Sequence, residues 1–120
     1  MMANILLVDD SKFMRALLKK VLASSHTIVG EAEHGVEAVE MYDQVSPDLV
    51  LMDIVMPHMD GILAASNIMK KHPDAKIIMC TSVGQDEKVK AAIKAGARGY
   101  ITKPFQGPSV LAEVESLLGQ

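Results

Sequence analysis

The sequence is poor in the residues on which several classes of function depend. It has one cysteine, Cys80, no tryptophan, two tyrosines and two phenylalanines. A single cysteine excludes an internal disulfide framework and a multi-cysteine metal site, and it fits a reducing compartment. So few aromatic rings argue against base-stacking platforms. With 12 Lys and Arg against 15 Asp and Glu, the chain has no broad basic field, so we expect no nucleic-acid partner.

Long apolar runs are also missing. The N-terminal residues MMANILLVDD reach acidic side chains after one short apolar run, which argues against a signal peptide or a membrane span. The 120 residues, 49% of them hydrophobic, match the size and composition of one globular domain. We therefore expect a single domain over residues 1–120, a cytoplasmic location, no membrane contact and a monomer.

Short apolar runs rich in Ile, Val and Leu alternate with longer segments of helical period. This alternation is typical of βαβ units around a parallel sheet, and continuously apolar runs indicate strands covered on both faces. The runs at positions two and five are weaker, which favours the edges of the sheet. The predicted strands are Asn4–Val8, Thr27–Glu31, Leu49–Asp53, Lys76–Thr81 and Gly99–Thr102.

Each segment that follows a strand repeats apolar residues at helical spacing, and Ser11 stands where the first helix needs an N-cap. The result is an α/β fold with five βα units. The residues expected on the buried faces are Phe13, Met14, Leu17, Leu18, Val21 and Leu22, then Ala38, Val39, Tyr42 and Val45, then Ile62, Ala65, Ile68 and Met69, then Val89, Ala92 and Ile93, and finally Val110, Leu111, Val114, Leu117 and Leu118.

Polar residues stand at the carboxyl ends of four predicted strands. These residues are Asp9 and Asp10, Asp53, Thr81 and Lys103. Right-handed crossovers leave few topologies for five parallel strands. The commonest strand order for a doubly wound sheet is 2-1-3-4-5, which is taken from known folds and not worked out from these residues. In that order, strands 1, 3, 4 and 5 are consecutive neighbours. The five side chains would then converge on one edge of the sheet.

Such a convergence predicts a particular chemistry. Carboxylates placed close together repel one another unless a cation joins them, and Mg²⁺ is the cation that oxygen ligands of this kind favour. The cluster has acidic groups, a hydroxyl and a lysine, but no general base that would activate a water molecule. Such a site is suited to accept a phosphoryl group on one of its carboxylates. Asp53 is the candidate nucleophile because it lies between Asp9 and Asp10 on one side and Thr81 and Lys103 on the other.

The residues that carry this chemistry resemble those of receiver domains, the response regulators of two-component signalling. The motifs are ILLVDDS at Ile5–Ser11, DLVLMDIVMPHMDG at Asp48–Gly61, the pair Thr81 and Ser82, and YITKPF at Tyr100–Phe105. The resemblance covers essentially the whole chain and implies the flavodoxin-like, doubly wound sheet. The segments DDSKFMR and TKPFQ favour the stand-alone regulators of chemotaxis.

The resemblance implies a role for each site residue. Asp53 would accept a phosphoryl group from the phosphohistidine of a chemotaxis-type histidine kinase. Asp10, Asp53 and the backbone carbonyl of Val55 would hold Mg²⁺, and Asp9 would act through water. Thr81 and Lys103 would bind the phosphoryl oxygens, next to a cis Lys103–Pro104 bond.

The resemblance also implies an output surface. Thr81 and Tyr100 would form a switch pair that changes the surface of helix 4, strand 5 and helix 5 after phosphorylation. A flagellar motor switch or adaptor protein would bind that surface, with a phosphatase as a further candidate partner, and the domain itself would not be an enzyme. The partner-surface residues would be Lys88, Lys90, Lys94, Arg98, Tyr100 and Phe105.

Other interpretations of the same sequence remain open. A single-domain phosphorelay intermediate is the main alternative, and a pseudo-receiver that only binds partners is another. A flavin electron carrier needs a phosphate-binding loop after the first strand, and DDSKFMR does not provide one. A haloacid-dehalogenase-type phosphatase needs a second acid two residues after its nucleophile, and Val55 occupies that position here. His26, His34, His58 and His72 are predicted to be surface or loop residues, whereas Cys80 is predicted to lie in the core.

Overall fold

A computed structural model describes residues 2–119 as five strands that alternate with five helices. All strand pairings are parallel and the order across the sheet is β2-β1-β3-β4-β5, so the predicted topology and the two predicted edge strands are confirmed. The elements are β1 (Asn4–Val8), α1 (Lys12–Leu22), β2 (Thr27–Ala32), α2 (Gly35–Val45), β3 (Leu49–Asp53), α3 (Gly61–Lys71), β4 (Ile77–Ser82), α4 (Asp86–Lys94), β5 (Gly99–Lys103) and α5 (Gly107–Leu118).

The sheet is buried on both faces. Leu6 and Val8 of β1 belong to a core formed with α2, α3 and α4, whereas Ile5 and Leu7 belong to a second core formed with α1 and α5. Because successive strand residues point to opposite faces, a strand between two helical layers must be apolar at every position. Cys80 is buried in the second core, as the sequence predicted. Within residues 2–119, no helix is long and apolar enough to cross a membrane.

Four predicted ends, in three of the strands, differ from the structure by one residue. β2 ends at Ala32, β4 spans Ile77–Ser82, and β5 ends at Lys103. The parallel ladder continues through the pair Ser82 and Lys103 and through the pair Val8 and Ala32. Pairing with a neighbouring strand, which local sequence does not encode, therefore decides where each strand ends.

The apolar stripes overestimate how much of α1 and α4 is buried. Phe13 is 74% exposed, Leu17 is 38% exposed, and Ile93 of α4 is 46% exposed, so the prediction that these three side chains face the core is wrong. The buried face of α1 is instead formed by Arg15, Leu18 and Leu22. A helix that covers one edge of a sheet buries a narrow face, so flanking apolar residues remain in solvent.

His26 lies in the loop before β2, which agrees with the prediction of a surface or loop residue, but its side chain is fully buried. The Ala3 N–H donates to His26 Nδ1 over 3.1 Å. The ring proton must therefore be on Nε2, which lies 3.1 Å from Glu115 Oε1 and donates to it. His26 thus ties the start of β1 to α5 at the edge of the sheet opposite the strand carboxyl ends.

We expect His26→Ala to lower the free energy of unfolding by about 1–3 kcal/mol, because the buried Ala3 N–H loses its acceptor. Urea denaturation of both proteins measures this difference. Glu115→Gln is the matched control, since the amide oxygen can still accept from Nε2, and it should change stability little. A variant His26→Ala as stable as the wild type would show that water replaces the ring.

Candidate functional site

The topology brings the three predicted carboxylates together. Asp9 and Asp10 follow β1, Asp53 is the last residue of β3, and β1 and β3 are neighbours in the sheet. One carboxylate oxygen from each of the three residues lies within 4.8 Å of the others. Asp9 is buried, Asp53 is partly buried and Asp10 is exposed, so the cluster opens to solvent on the Asp10 side.

Lys103 reaches this cluster from the edge strand β5. Its ammonium nitrogen lies 3.1 Å from Asp9 Oδ2 and 3.4 Å from Asp53 Oδ1. The lysine and aspartate side chains are largely removed from water, at 18% exposure for Lys103, 3% for Asp9 and 14% for Asp53. Three carboxylates against one ammonium leave two uncompensated negative charges when all four groups are ionised.

The crowding changes the protonation of the site. Burial raises the pKa of the Asp53 carboxyl; Lys103 opposes this shift, and the nearby charges of Asp9 and Asp10 add to it. Burial alone would lower the pKa of Lys103, but the carboxylates of Asp53 and Asp9 outweigh burial and raise it. Cys80 pairs with Asp53 on the neighbouring strand β4, and burial raises the pKa of its thiol to about 12. The lysine is therefore held as a cation and the thiol remains protonated.

The donor set fits a hard divalent cation. The three residues offer carboxylate oxygens only, and the net charge of the cluster would be neutralised by two positive charges. Mg²⁺ is commonly held by one or two carboxylates together with water and phosphate oxygens. Asp9, Asp10 and Asp53 can therefore hold Mg²⁺, and the solvent-facing side leaves room for water and a phosphoryl group.

Local sequence explains how Asp53 and Asp9 are positioned. A Cβ atom at Gly61 would overlap the Asp53 carbonyl oxygen, so only glycine lets α3 begin this close to the end of β3. The Asp60 side chain caps α3 by accepting from the Leu63 N–H over 2.9 Å.

After β1, the Ser11 N–H donates to Asp9 Oδ1 over 2.9 Å. The Ser11 hydroxyl in turn accepts from the Met14 N–H and caps α1, as predicted.

Thr81 and Tyr100 lie near the cluster but do not contact it. The Thr81 side chain is almost fully buried, and its hydroxyl donates to the Ser82 carbonyl over 3.3 Å. Tyr100 is 51% exposed on the edge strand. A cavity of about 230 Å³ lies between them, lined by the segment from Thr81 to Asp86, by Val89 and by Thr102. Space for movement of either side chain is thus already present.

Most of the remaining predicted residues are exposed. Val55, two residues after Asp53, is 57% exposed, and Val83, two residues after Thr81, is 77% exposed. The Lys103–Pro104 bond is cis, as expected. The residues predicted to form the partner surface are exposed, except Phe105, which is half-buried; they are Lys88, Lys90, Lys94, Arg98, Tyr100 and Phe105.

Arg15 is a site neighbour that the sequence reasoning missed. Its guanidinium is 8% exposed and contacts Glu31 Oε1 through Nε at 2.9 Å and the Asp9 carbonyl through Nη1 at 2.6 Å. The Lys19 ammonium also contacts Glu31; this bond lowers the pKa of Glu31 against the effect of burial, and Arg15 lowers it further. The spacing of Arg15, Leu18 and Leu22 on one helical face is the signal that would have indicated its burial.

Comparison with known proteins agrees with this geometry. Residues 5–115 match the model of the response regulator receiver domain. Similar solved structures include the response regulator domain of Thermotoga maritima CheB, with a TM-score of 0.92 and 34% identity over 100% of this chain and 98% of that one. The chain therefore belongs to the response regulator receiver domains.

Within that class, its relatives include chemotaxis regulators. It is 59% identical to the chemotaxis protein CheY of Halobacterium salinarum over 98% of both chains. It is 50% identical to CheY of Listeria monocytogenes over 95% of this chain and 97% of that one. The structure of a CheX–CheY–BeF3–Mg complex from Borrelia burgdorferi matches with a TM-score of 0.90 and 39% identity, covering 94% of this chain and 87% of that one.

We expect Asp53→Asn to be more stable than the wild type at neutral pH when divalent cations are removed with EDTA. The raised pKa of Asp53 means that the folded state binds this proton more tightly than the unfolded state does, so ionisation of Asp53 destabilises the fold. The gain in stability should shrink as the pH falls through the raised pKa, because the wild-type carboxyl then becomes neutral too.

Urea denaturation across that pH range measures the effect. Asp60→Asn is the matched control, because asparagine also caps helices and Asp60 lies in the same loop without entering the carboxylate cluster. A loss of stability in Asp53→Asn at neutral pH would show that the ion pair with Lys103 outweighs the repulsion.

Proposed function

We propose that this protein is a phosphorylation-activated switch in chemotaxis, in which Asp53 receives a phosphoryl group from a histidine kinase. The observation that supports this most strongly is the position of Asp53 beside a pair of acidic residues, with the Lys103 ammonium 3.4 Å from its carboxylate. Its likeness to CheY proteins over nearly the whole chain supports the pathway. The domain would act in the cytoplasm and catalyse only its own phosphotransfer and a slow self-hydrolysis.

In the proposed reaction, an Asp53 carboxylate oxygen attacks the phosphorus of the phosphohistidine. A P–O bond forms as the P–N bond breaks, and the kinase imidazole leaves with the bonding electron pair. Lys103 stays beside the new acyl phosphate and balances its charge. Bound Mg²⁺ would supply further positive charge to the phosphoryl oxygens, held by Asp10, Asp53 and the Val55 carbonyl, with Asp9 acting through water.

The signal would then travel through Thr81 and Tyr100. Phosphorylation adds acceptor oxygens and roughly two negative charges next to the end of β4. The Thr81 hydroxyl, which donates to its neighbour Ser82 at 3.3 Å, would turn to a phosphoryl oxygen instead. Tyr100 could then enter the adjacent cavity from its half-exposed position. The bistable element would be the segment after β4 together with this ring.

The altered surface would comprise α4, β5 and α5. It presents four exposed cations, Lys88, Lys90, Lys94 and Arg98, beside the aromatic side chains of Tyr100 and Phe105. We propose a flagellar motor switch or adaptor protein as the target, with a phosphatase as a further partner. The Borrelia relative in complex with CheX supports the idea that receivers of this type bind a second protein.

Phosphotransfer tests the central assignment. Incubation with a phosphorylated chemotaxis-type histidine kinase and Mg²⁺ should label the wild type, whereas Asp53→Asn should remain unlabelled because an amide is not a competent nucleophile. Asp60→Asn should be labelled like the wild type, which separates loss of the acceptor from loss of a nearby charge. Equal labelling of wild type and Asp53→Asn would overturn the assignment of Asp53.

Two exposed valines predict a long-lived phosphoryl group. Val55 and Val83 stand two residues beyond Asp53 and Thr81, where polar side chains in some relatives help to place the attacking water. The double variant Val55→Asn with Val83→Glu should therefore lose phosphate roughly tenfold faster, a modest fraction of what a well-placed acid–base group contributes.

The decay of phosphorylated protein after removal of the donor measures this rate. The double variant Val55→Ala with Val83→Ala is the control, because it shortens both side chains without adding a polar group. A wild-type lifetime as short as that of the relatives, and unchanged by the polar pair, would reject the role of the two valines.

A further inference from the structure

Arg15 is buried although the reaction assigns it no task. Within residues 2–119, Asp9 and Arg15 are the only Asp, Glu, Lys or Arg residues that are buried. A buried guanidinium is strongly unfavourable unless it is well paired. Arg15 meets this requirement with Glu31 at 2.9 Å, Glu33 at 3.6 Å and the backbone carbonyl of Asp9 at 2.6 Å.

The contact with the Asp9 carbonyl controls more than Asp9. That carbonyl and the N–H of Asp10 belong to one planar peptide group. A hydrogen bond to that oxygen therefore fixes the orientation of the peptide plane that leads into Asp10. Asp9 itself is also restrained through its N–H, which donates to the Ala32 carbonyl over 3.0 Å, and through its carboxylate, which pairs with Lys103. Asp10 is exposed, so packing does not hold its side chain, and the backbone sets the position from which that side chain extends.

We propose that Arg15 is a positioning residue for the divalent-cation site, acting through the Asp9–Asp10 peptide. The inference rests on the Mg²⁺ site of the proposed function. Glu31 and Glu33, from the end of β2 and the loop after it, hold the guanidinium in place, and the guanidinium holds the peptide that carries the acidic pair. The cation site is thus anchored to the edge strand of the sheet, across the width of β1.

Charge and geometry predict opposite results for the loss of Arg15, which makes the idea testable. A positive charge close to the acidic cluster repels Mg²⁺, so removal of the charge by itself would strengthen metal binding. If Arg15 positions the peptide, its removal weakens binding instead. Partners that orient metal ligands from outside the coordination sphere typically change metal affinity by about 10–100-fold, so we expect Arg15→Met to bind Mg²⁺ roughly tenfold more weakly.

The experiment is a Mg²⁺ titration of ¹⁵N-labelled protein without any phosphodonor, followed through the backbone amide resonances of Asp10, Ser11 and Asp53. Lys19→Met is the matched control: it removes one positive charge from the same helix and one contact to Glu31, at 2.9 Å, but does not touch the Asp9 carbonyl. Its Mg²⁺ affinity should be unchanged or slightly higher. In metal-free protein, the Asp10 and Ser11 amides should shift in Arg15→Met and not in Lys19→Met.

Arg15→Lys keeps the proposal falsifiable if Arg15→Met does not fold. A single ammonium cannot bind the Asp9 carbonyl and Glu31 with the two-sided geometry of a guanidinium. This variant retains the charge and should still bind Mg²⁺ several-fold more weakly. Equal or tighter Mg²⁺ binding by the folded Arg15 variants would overturn the positioning role while the cation site itself stands. A wild-type protein that binds no Mg²⁺ at millimolar concentration would overturn the proposed function and this inference with it.

Discussion

Mutual repulsion of Asp9, Asp10 and Asp53 is the constraint around which this domain is organised. The fold forces three carboxylates within 4.8 Å of one another at one edge of the sheet. Lys103 offsets only part of that charge. Burial raises the pKa of Asp53, and the charges of Asp9 and Asp10 add to this shift against the opposing effect of Lys103. A site with this imbalance can hold a divalent cation, because two positive charges would neutralise the carboxylates that Lys103 leaves uncompensated.

The scaffold holds this unfavourable arrangement through backbone contacts more than through side-chain pairing. Gly61 allows α3 to start against the Asp53 carbonyl, and Arg15 holds the Asp9 carbonyl against the edge strand. Two apolar cores, one on each face, keep the strands that carry these residues in register. By contrast, Thr81 and Tyr100 border a cavity of about 230 Å³. The structure thus holds the backbone of the acidic cluster firmly and leaves space beside these two side chains.

Sequence reasoning succeeded where one physical signal dominates. Continuously apolar runs indicated buried parallel strands, and polar residues directly after those runs indicated the site, because a parallel sheet collects the carboxyl ends of its strands. It failed where burial depends on the neighbouring element. Phe13 and Leu17 belong to an apolar stripe that the sheet is too narrow to cover, whereas His26 is polar and fully buried because Ala3 and Glu115 satisfy both of its ring nitrogens.

The sequence by itself therefore determined the element order, the edge strands and which three carboxylates and lysine stand at the strand ends that form the candidate site. These features follow from local periodicity and from the side-chain chemistry at strand ends. Only the tertiary structure decided that Lys103 reaches both Asp9 and Asp53, that the Thr81 hydroxyl donates to Ser82, and that the buried Arg15 contacts the Asp9 carbonyl. The Lys103 contacts join residues that are distant in the chain, and all of these distances depend on how helices and strands pack, which no local pattern records.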